Sequence, residues 1–223
     1  MSCGAPARLR KTTRPAARMM RVFPLAWDTP PAWGEAALQD PLALLSDHAH
    51  CEMGATVSAQ GMIARYPERA RLVERMGALA IEELRHFGQV HRLIVGLGGV
   101  LGPIRTNRYV EALLRATRKG GEALLDRLLV SAVIERRSLE RFELLAVAAR
   151  QDHPELARLY LELGPSEAGH AALFIELAKS FYADGEVDRR LAYLLELEAN
   201  VIRELPCGSR IHSGPPSPVQ TGC

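Results

Sequence analysis

Aromatic residues are scarce in this chain: Phe, Trp and Tyr together make up 5% of its 223 residues. With so few rings, and many Ala, Leu, Arg and Glu in their place, the composition suits an all-helical protein. No apolar run approaches the ~20 residues that a membrane-spanning helix needs, so a soluble protein is expected. Cysteine is sparse too. Cys3, Cys51, Cys207 and Cys223 show neither metal-binding nor redox spacing, which argues against a thiolate metal site and fits a reducing cytoplasm. Recognised RNA-binding modules are also missing. Cys51 reads as a small packed thiol.

The net charge of +2 hides an asymmetry. Arg8, Arg10, Lys11, Arg14, Arg18 and Arg21 stand in residues 1–27 with no acid among them, which leaves about −4 on the remainder. Such an arm could touch nucleic acid, resembles a transit peptide, or lies ahead of a true start at Met19 or Met20. Residues 1–38 are read as a basic extension without fixed structure. Residues 206–223, rich in Pro, Gly and Ser, are read as a tail of the same kind. Residues 39–205 are then the folded domain, a length that supports one packed core.

Helical periodicity dominates that domain. The patterns predict helices over about 41–65, from Pro67 to 96, 107–118, 122–150, from Asp152–Pro154 onward, and 187–204. Short links join the first to the second long helix and the third to the fourth, so each pair should form an antiparallel hairpin. A Gly-rich break and a short helix lie between the hairpins and leave room for a crossover. The expected architecture is all-α: a ferritin-like four-helix bundle with a crossover helix and an additional C-terminal helix. Pro165 should kink or restart the fourth long helix, since proline removes a hydrogen bond and crowds the preceding turn.

Six polar residues interrupt the buried stripes. Glu52 lies among Leu45, Ala49, Thr56 and Ala59. Glu83 and His86 follow Leu72, Met76 and Leu79; Glu135 sits between Ala132 and Leu139; Glu167 and His170 sit between Leu163 and Phe174. Glu-x-x-His thus occurs twice, and each copy trails a lone glutamate, by 31 residues in one half and 32 in the other. One Glu-x-x-His is commonplace on a helix surface; two copies in matched halves on apolar stripes are not. Nearby acids (Glu82, Glu140, Glu143, Glu162) fall off the stripes and read as solvated faces, or at most as partners of the histidines.

Burying four unpaired carboxylates would cost several kcal/mol each, so the cluster needs protons or positive charge. Two divalent ions supply that charge. Carboxylate and imidazole suit iron or manganese better than thiolate-seeking metals. Glu and His three apart share a helix face, so both can reach one ion. Four-helix bundles with two metal ions use this set: one Glu from each of two helices and Glu-x-x-His from the other two.

The surrounding text is more specific. His48-Ala49-His50-Cys51-Glu52, Glu82-Glu83-Leu84-Arg85-His86-Phe87, Ile134-Glu135-Arg136-Arg137-Ser138, Asn107-Arg108-Tyr109-Val110, Leu125-Asp126-Arg127-Leu128-Leu129-Val130 and Glu140-Arg141-Phe142 resemble the tRNA 2-methylthio-isopentenyl-adenosine hydroxylase family, a bacterial group of non-haem di-iron monooxygenases. The resemblance covers about residues 40–205. It implies hydroxylation of the isopentenyl group on an adenosine beside the tRNA anticodon, using dioxygen and electrons from an external donor. It also implies two iron ions held by Glu52, Glu83, His86, Glu135, Glu167 and His170. Pro165 and Gly169 depart from the family pattern. Phosphate contacts would fall to Arg85, Arg105, Arg108, Arg136, Arg137 or Arg141. The competing readings are a ferritin-like iron-oxidising or peroxide-handling protein without an RNA substrate, and a metal-free helical scaffold.

Overall fold

A computed structural model describes residues 23–216, and among these it is helical with no strand. The helices are α1 (Ala32–Ala37), α2 (Pro41–Arg65), α3 (Ala70–Gly96), α4 (Arg108–Arg115), α5 (Ala123–Ala148), α6 (Pro154–Phe181) and α7 (Asp184–Glu204), with a 3₁₀ turn at Gly120–Glu122. No helix among the described residues is long and apolar enough to cross a membrane.

Local chemistry sets the ends. Asp40 caps α2 by accepting from the Ala43 amide at 2.9 Å, and Pro41 takes the first turn, where its missing N–H costs nothing. Asn107 caps α4 through the Val110 amide. Gly98, at φ 76°, ends α3: its amide and that of Gly99 bond back to the carbonyls of Val95 and Ile94. Pro67, expected in the first turn of α3, lies instead in the link before it, and the residue preceding Pro154 at the start of α6 is His153.

The two expected hairpins, α2 with α3 and α5 with α6, form the bundle, and α3 lies against α6. α4 crosses over to pack on α7 and α5, while α1 and α7 both cover α5. These added layers explain why α5 is buried on nearly every side. The apolar core falls into two clusters. One holds Ala59, Leu72, Leu79, Leu128, Ala132 and Phe174; the other holds Leu45, Ala49, Val90, Phe142 and Leu163. The six polar residues lie between them along each of the four helices.

α6 runs through Pro165 without a restart; Pro165 faces solvent, so the carbonyl deprived of its partner can bond water instead. The ordered fold extends beyond the expected 39–205 on both sides. Upstream, Trp33 is fully buried, and Arg141 stacks on its ring at 3.9 Å. Downstream, residues 206–216 run as an ordered strap: Asp47 accepts from Arg210 Nε and the Ile211 amide, and Trp33 Nε1 donates to Ser213 Oγ. The basic residues Arg8 to Arg21, with Met19, Met20, Cys3 and Cys223, lie outside the described residues.

Candidate metal centre

The structure brings all six stripe residues together. Glu52, Glu83, His86 and Glu167 form one group, and Glu83, Glu135 and His170 a second; the donor atoms within each lie within 4.8 Å of one another. α2, α3, α5 and α6 each deliver their share from mid-helix. All six are buried, the most exposed being Glu135 at 7%.

Glu83 joins the two groups. Its Oε1 lies 2.9 Å from His170 Nδ1 and its Oε2 3.4 Å from His86 Nδ1. These contacts are close enough for ion pairing but are angled away from hydrogen bonds. Glu83 Oε1, His86 Nδ1, Glu167 Oε1 and His170 Nδ1 are all buried without a hydrogen-bond partner. Four orphaned donor atoms converging in one core carry a heavy desolvation cost unless a cation takes them. Oxygen and imidazole donors in this number fit two hard or borderline divalent ions.

Two further residues complete the surroundings. His48 Nε2 lies 2.6 Å from Glu52 Oε1. Burial, then the neighbouring His86, pushes the His48 pKa down to about 3, so the ring stays neutral and its contact with Glu52 is a hydrogen bond rather than an ion pair. The signal was the His48-x-x-x-Glu52 spacing, one turn apart on α2. Glu82 is the second: its half-exposed carboxylate approaches both His170 and His86 from outside the cluster.

Electrostatics set a pH signature. Burial, and then the charge of neighbouring glutamates, pushes Glu52 and Glu167 well above the usual carboxylate range; burial and Glu83 push Glu135 up to about 7. For Glu83 burial acts upward, but His170 and His86 outweigh it and hold the carboxyl below its ordinary value. Burial would lower His170, yet Glu83 and Glu135 raise it to about 9. A raised carboxyl stabilises the fold below its unfolded pKa and loses that contribution as pH rises through the folded one. For Glu135 that window runs from 4.5 to about 7, and for His170 from 6.5 to about 9. The Glu83 contribution is complete above 4.5. His48 and His212, each held down to about 3 chiefly by burial, act the other way and add stability as pH rises to 6.5. The metal-free protein should therefore weaken as pH rises from 6.5 to 9. Metal binding displaces the same protons, so stabilisation by added ferrous ion should grow over that range. Thermal unfolding with and without ferrous ion, under anaerobic conditions, checks this; parallel pH curves would contradict it.

The arginines divide. Arg137 and Arg141 are fully buried and Arg136 is 6% exposed, its Nε donating to the Phe23 carbonyl. They serve the fold rather than a surface. Arg85, Arg105 and Arg108 are exposed. Glu140, expected on a solvated face, is buried against Thr29 and Arg137. Cys51 is partly buried, with Sγ 3.9 Å from His212 Nδ1.

The chain is similar to known proteins along most of its length. The model of the family described as tRNA-(MS[2]IO[6]A)-hydroxylase (MiaE) matches residues 18–213. A Pseudomonas putida protein named tRNA 2-(methylsulfanyl)-N(6)-isopentenyladenosine(37) hydroxylase is 38% identical over 193 residues, covering 86% of this chain and 93% of its own. A Salmonella typhimurium protein of the same name is 36% identical over 152 residues, 68% of this chain and 55% of its own. A solved Synechococcus structure, named protein 43 with aldehyde deformylating oxygenase activity, superposes with a TM-score of 0.81 at 37% identity, covering 88% of this chain and 98% of that one. The buried four-glutamate, two-histidine cluster and the match along nearly the whole described chain lead to one conclusion: this protein belongs to the tRNA-(MS[2]IO[6]A)-hydroxylase family.

Proposed function

We propose that the protein is a non-haem di-iron monooxygenase that hydroxylates the isopentenyl side chain of 2-methylthio-isopentenyl-adenosine beside the tRNA anticodon. The observation that carries the reading is the cluster of six buried donor residues in a chain of this family. Glu52, Glu83, His86, Glu135, Glu167 and His170 would hold two iron ions, with Glu83 placed to reach both. When bound, the irons supply reductive activation of dioxygen. One oxygen atom enters a C–H bond, the other leaves as water, and two electrons and two protons come from an external donor and solvent.

The chain's own residues do the rest. His48 orients Glu52. The apolar residues packed above and below the cluster, among them Leu79, Val90, Phe142, Leu163 and Phe174, exclude water from it. Arg85, on the exposed face of α3 one residue before His86, and Arg105 and Arg108 remain available for phosphates. An unstacked loop base can present its side chain to such a site. This reading places the enzyme in the cytoplasm with its substrate.

A second reading follows from the Synechococcus structure: an oxygenase acting on an aldehyde in the same scaffold. Nucleoside analysis separates the two. Bulk tRNA from cells lacking this gene should contain no hydroxylated nucleoside and should accumulate its prenylated precursor. Unchanged nucleoside profiles, with aldehyde consumption by the iron-loaded protein, would replace the first reading by the second.

A further inference from the structure

We propose that the outer face of the α2–α3 hairpin is the docking surface for the electron donor, and that this donor is a small acidic redox protein. Met53 and Val57 on α2 and Ile81 and Leu84 on α3 are between 38% and 64% exposed. The two helices run antiparallel with Glu52 and Glu83 in one donor group. In that register Met53 and Leu84, each one residue past a cluster glutamate, stand on the outer side of the seam. Val57 and Ile81 lie one turn away on their own helices. Gly54 and Ala78, both exposed, add little relief between them. A single exposed aliphatic side chain needs no explanation; four on one helix seam do.

Two observations choose the occupant. The first is distance. The face backs directly onto the cluster, with one helix diameter, about 10 Å, between them. Hydroxylation takes two electrons from outside the chain, and a donor seated here stands as near to the centre as a surface allows. Each reduced donor gives up one electron. Two dockings therefore supply the two electrons that, with two protons, carry one atom of dioxygen to water while the other enters the C–H bond.

The second observation is charge. From Met53 to its end α2 carries one charged residue, Arg65. On α3, Arg85 flanks Ile81 and Leu84, and Arg92 stands about two turns beyond. All three arginines are exposed, and none forms an ion pair among the described residues. Glu82 turns towards His170 of α6, and the next exposed acid back along α3 is Glu74, two turns from Ile81. An apolar centre with an unpaired cationic rim fits an acidic protein surface. A second copy of this chain would set the same cations against these. An RNA backbone would meet the cations and leave the apolar centre unused.

The inference rests on the di-iron reading and is independent of the RNA substrate. The test uses the iron-loaded full chain, a photoreduced acidic plant-type ferredoxin as donor probe, and dithionite as a small reductant that needs no docking. Val57→Glu and Ile81→Glu place an acid in the centre of the face, and Arg92→Glu reverses a rim charge. Val147→Glu, at an exposed apolar position near the end of α5, is the control. Arg85 is left in place because the RNA reading also uses it. Ferredoxin affinity, the anaerobic rate of iron reduction by each reductant, and affinity for a synthetic anticodon stem–loop RNA are measured. Val57→Glu and Ile81→Glu should bind ferredoxin about tenfold more weakly and accept its electrons about tenfold more slowly. Their reduction by dithionite and their RNA affinity should match wild type. Arg92→Glu should slow reduction by ferredoxin most at low salt. Val147→Glu should match wild type throughout. Wild-type rates with ferredoxin in both centre variants overturn the proposal. So does an equal loss with dithionite, which would place the damage at the iron. A loss of RNA affinity with electron transfer intact gives the face to RNA, and a wild-type dimer split by Val57→Glu gives it to a second copy; either result overturns the proposal. Wild type that dithionite reduces and ferredoxin does not overturns it as well. Failure of wild type to hold iron would instead sink the di-iron reading.

Discussion

Replacing Glu135 by leucine should move stability in opposite directions with and without metal. In the metal-free protein at pH 8 the variant should be more stable than wild type by about 1–3 kcal/mol, because an apolar side chain of similar volume replaces a buried carboxylate with no cation to meet it. Burial already lifts the Glu135 pKa to about 7, so ionising it at pH 8 is unfavourable. With ferrous ion present the order should reverse. The variant lacks a donor of the Glu83–Glu135–His170 group. Its affinity should fall by at least ~100-fold, more than the loss typical of an outer hydrogen-bond partner. Wild type would then gain stability in proportion to bound metal while the variant gains little. Denaturant unfolding of both proteins, each with and without ferrous ion, gives the four numbers required. A variant destabilised in both states would mean that Glu135 serves packing or hydrogen bonding within the fold.

The second large effect lies behind the metal site. Arg137→Ala should cost about 3–5 kcal/mol, the usual loss when one member of a buried ion pair is removed. Arg137 is fully buried on α5. Its Nε and Nη2 donate to Glu198 of α7 at 2.7 and 2.8 Å, and its Nη1 reaches Thr29 and Glu140. Nη2 also donates to the Trp27 carbonyl, while Tyr109 of α4 donates to Glu198. One guanidinium thus ties α5 to α7 and to the segment before α1. Its loss strands Glu198, at 0% exposure, without its cation and leaves Glu140 only Arg141, 4.0 Å away. The paired change Arg137→Met with Glu198→Met removes both charges and should recover most of the loss. Denaturant midpoints of the single and double variants check this. A single-variant cost below about 1 kcal/mol would show that the network contributes as a solvated surface pair does.

That network shows where the sequence was hard to read. The six cluster residues were legible because burial on a helix leaves a period, and each breaks its stripe at a chemically odd point. The hairpins followed from short links. The cover over α5 left no period of its own. Arg136, Arg137 and Arg141 look like solvated charges until the Phe23 carbonyl, Glu198 of α7 and the Trp33 ring, in that order, meet them. Glu140 looks solvated until Thr29 and Arg137 enclose it. Residues 206–216 have the composition of a loose tail, yet long-range anchors hold them, among them Asp47 to Arg210, Trp33 to Ser213, and His212 stacked on Tyr109 at 4.5 Å. Such contacts depend on partners more than 70 residues away in the chain. The helix runs through Pro165 because the side that carries the stranded carbonyl faces water. His48 and Glu82 were in view in the motifs, but their roles depend on ring orientations that spacing does not encode.

Metal analysis of the purified wild-type chain from iron-replete cells tests the account most directly. It predicts about two irons per chain, both lost when Glu83, the residue shared by the two donor groups, is replaced by alanine. A wild-type protein that folds, and that holds no metal even after anaerobic reconstitution with ferrous ion, would contradict it.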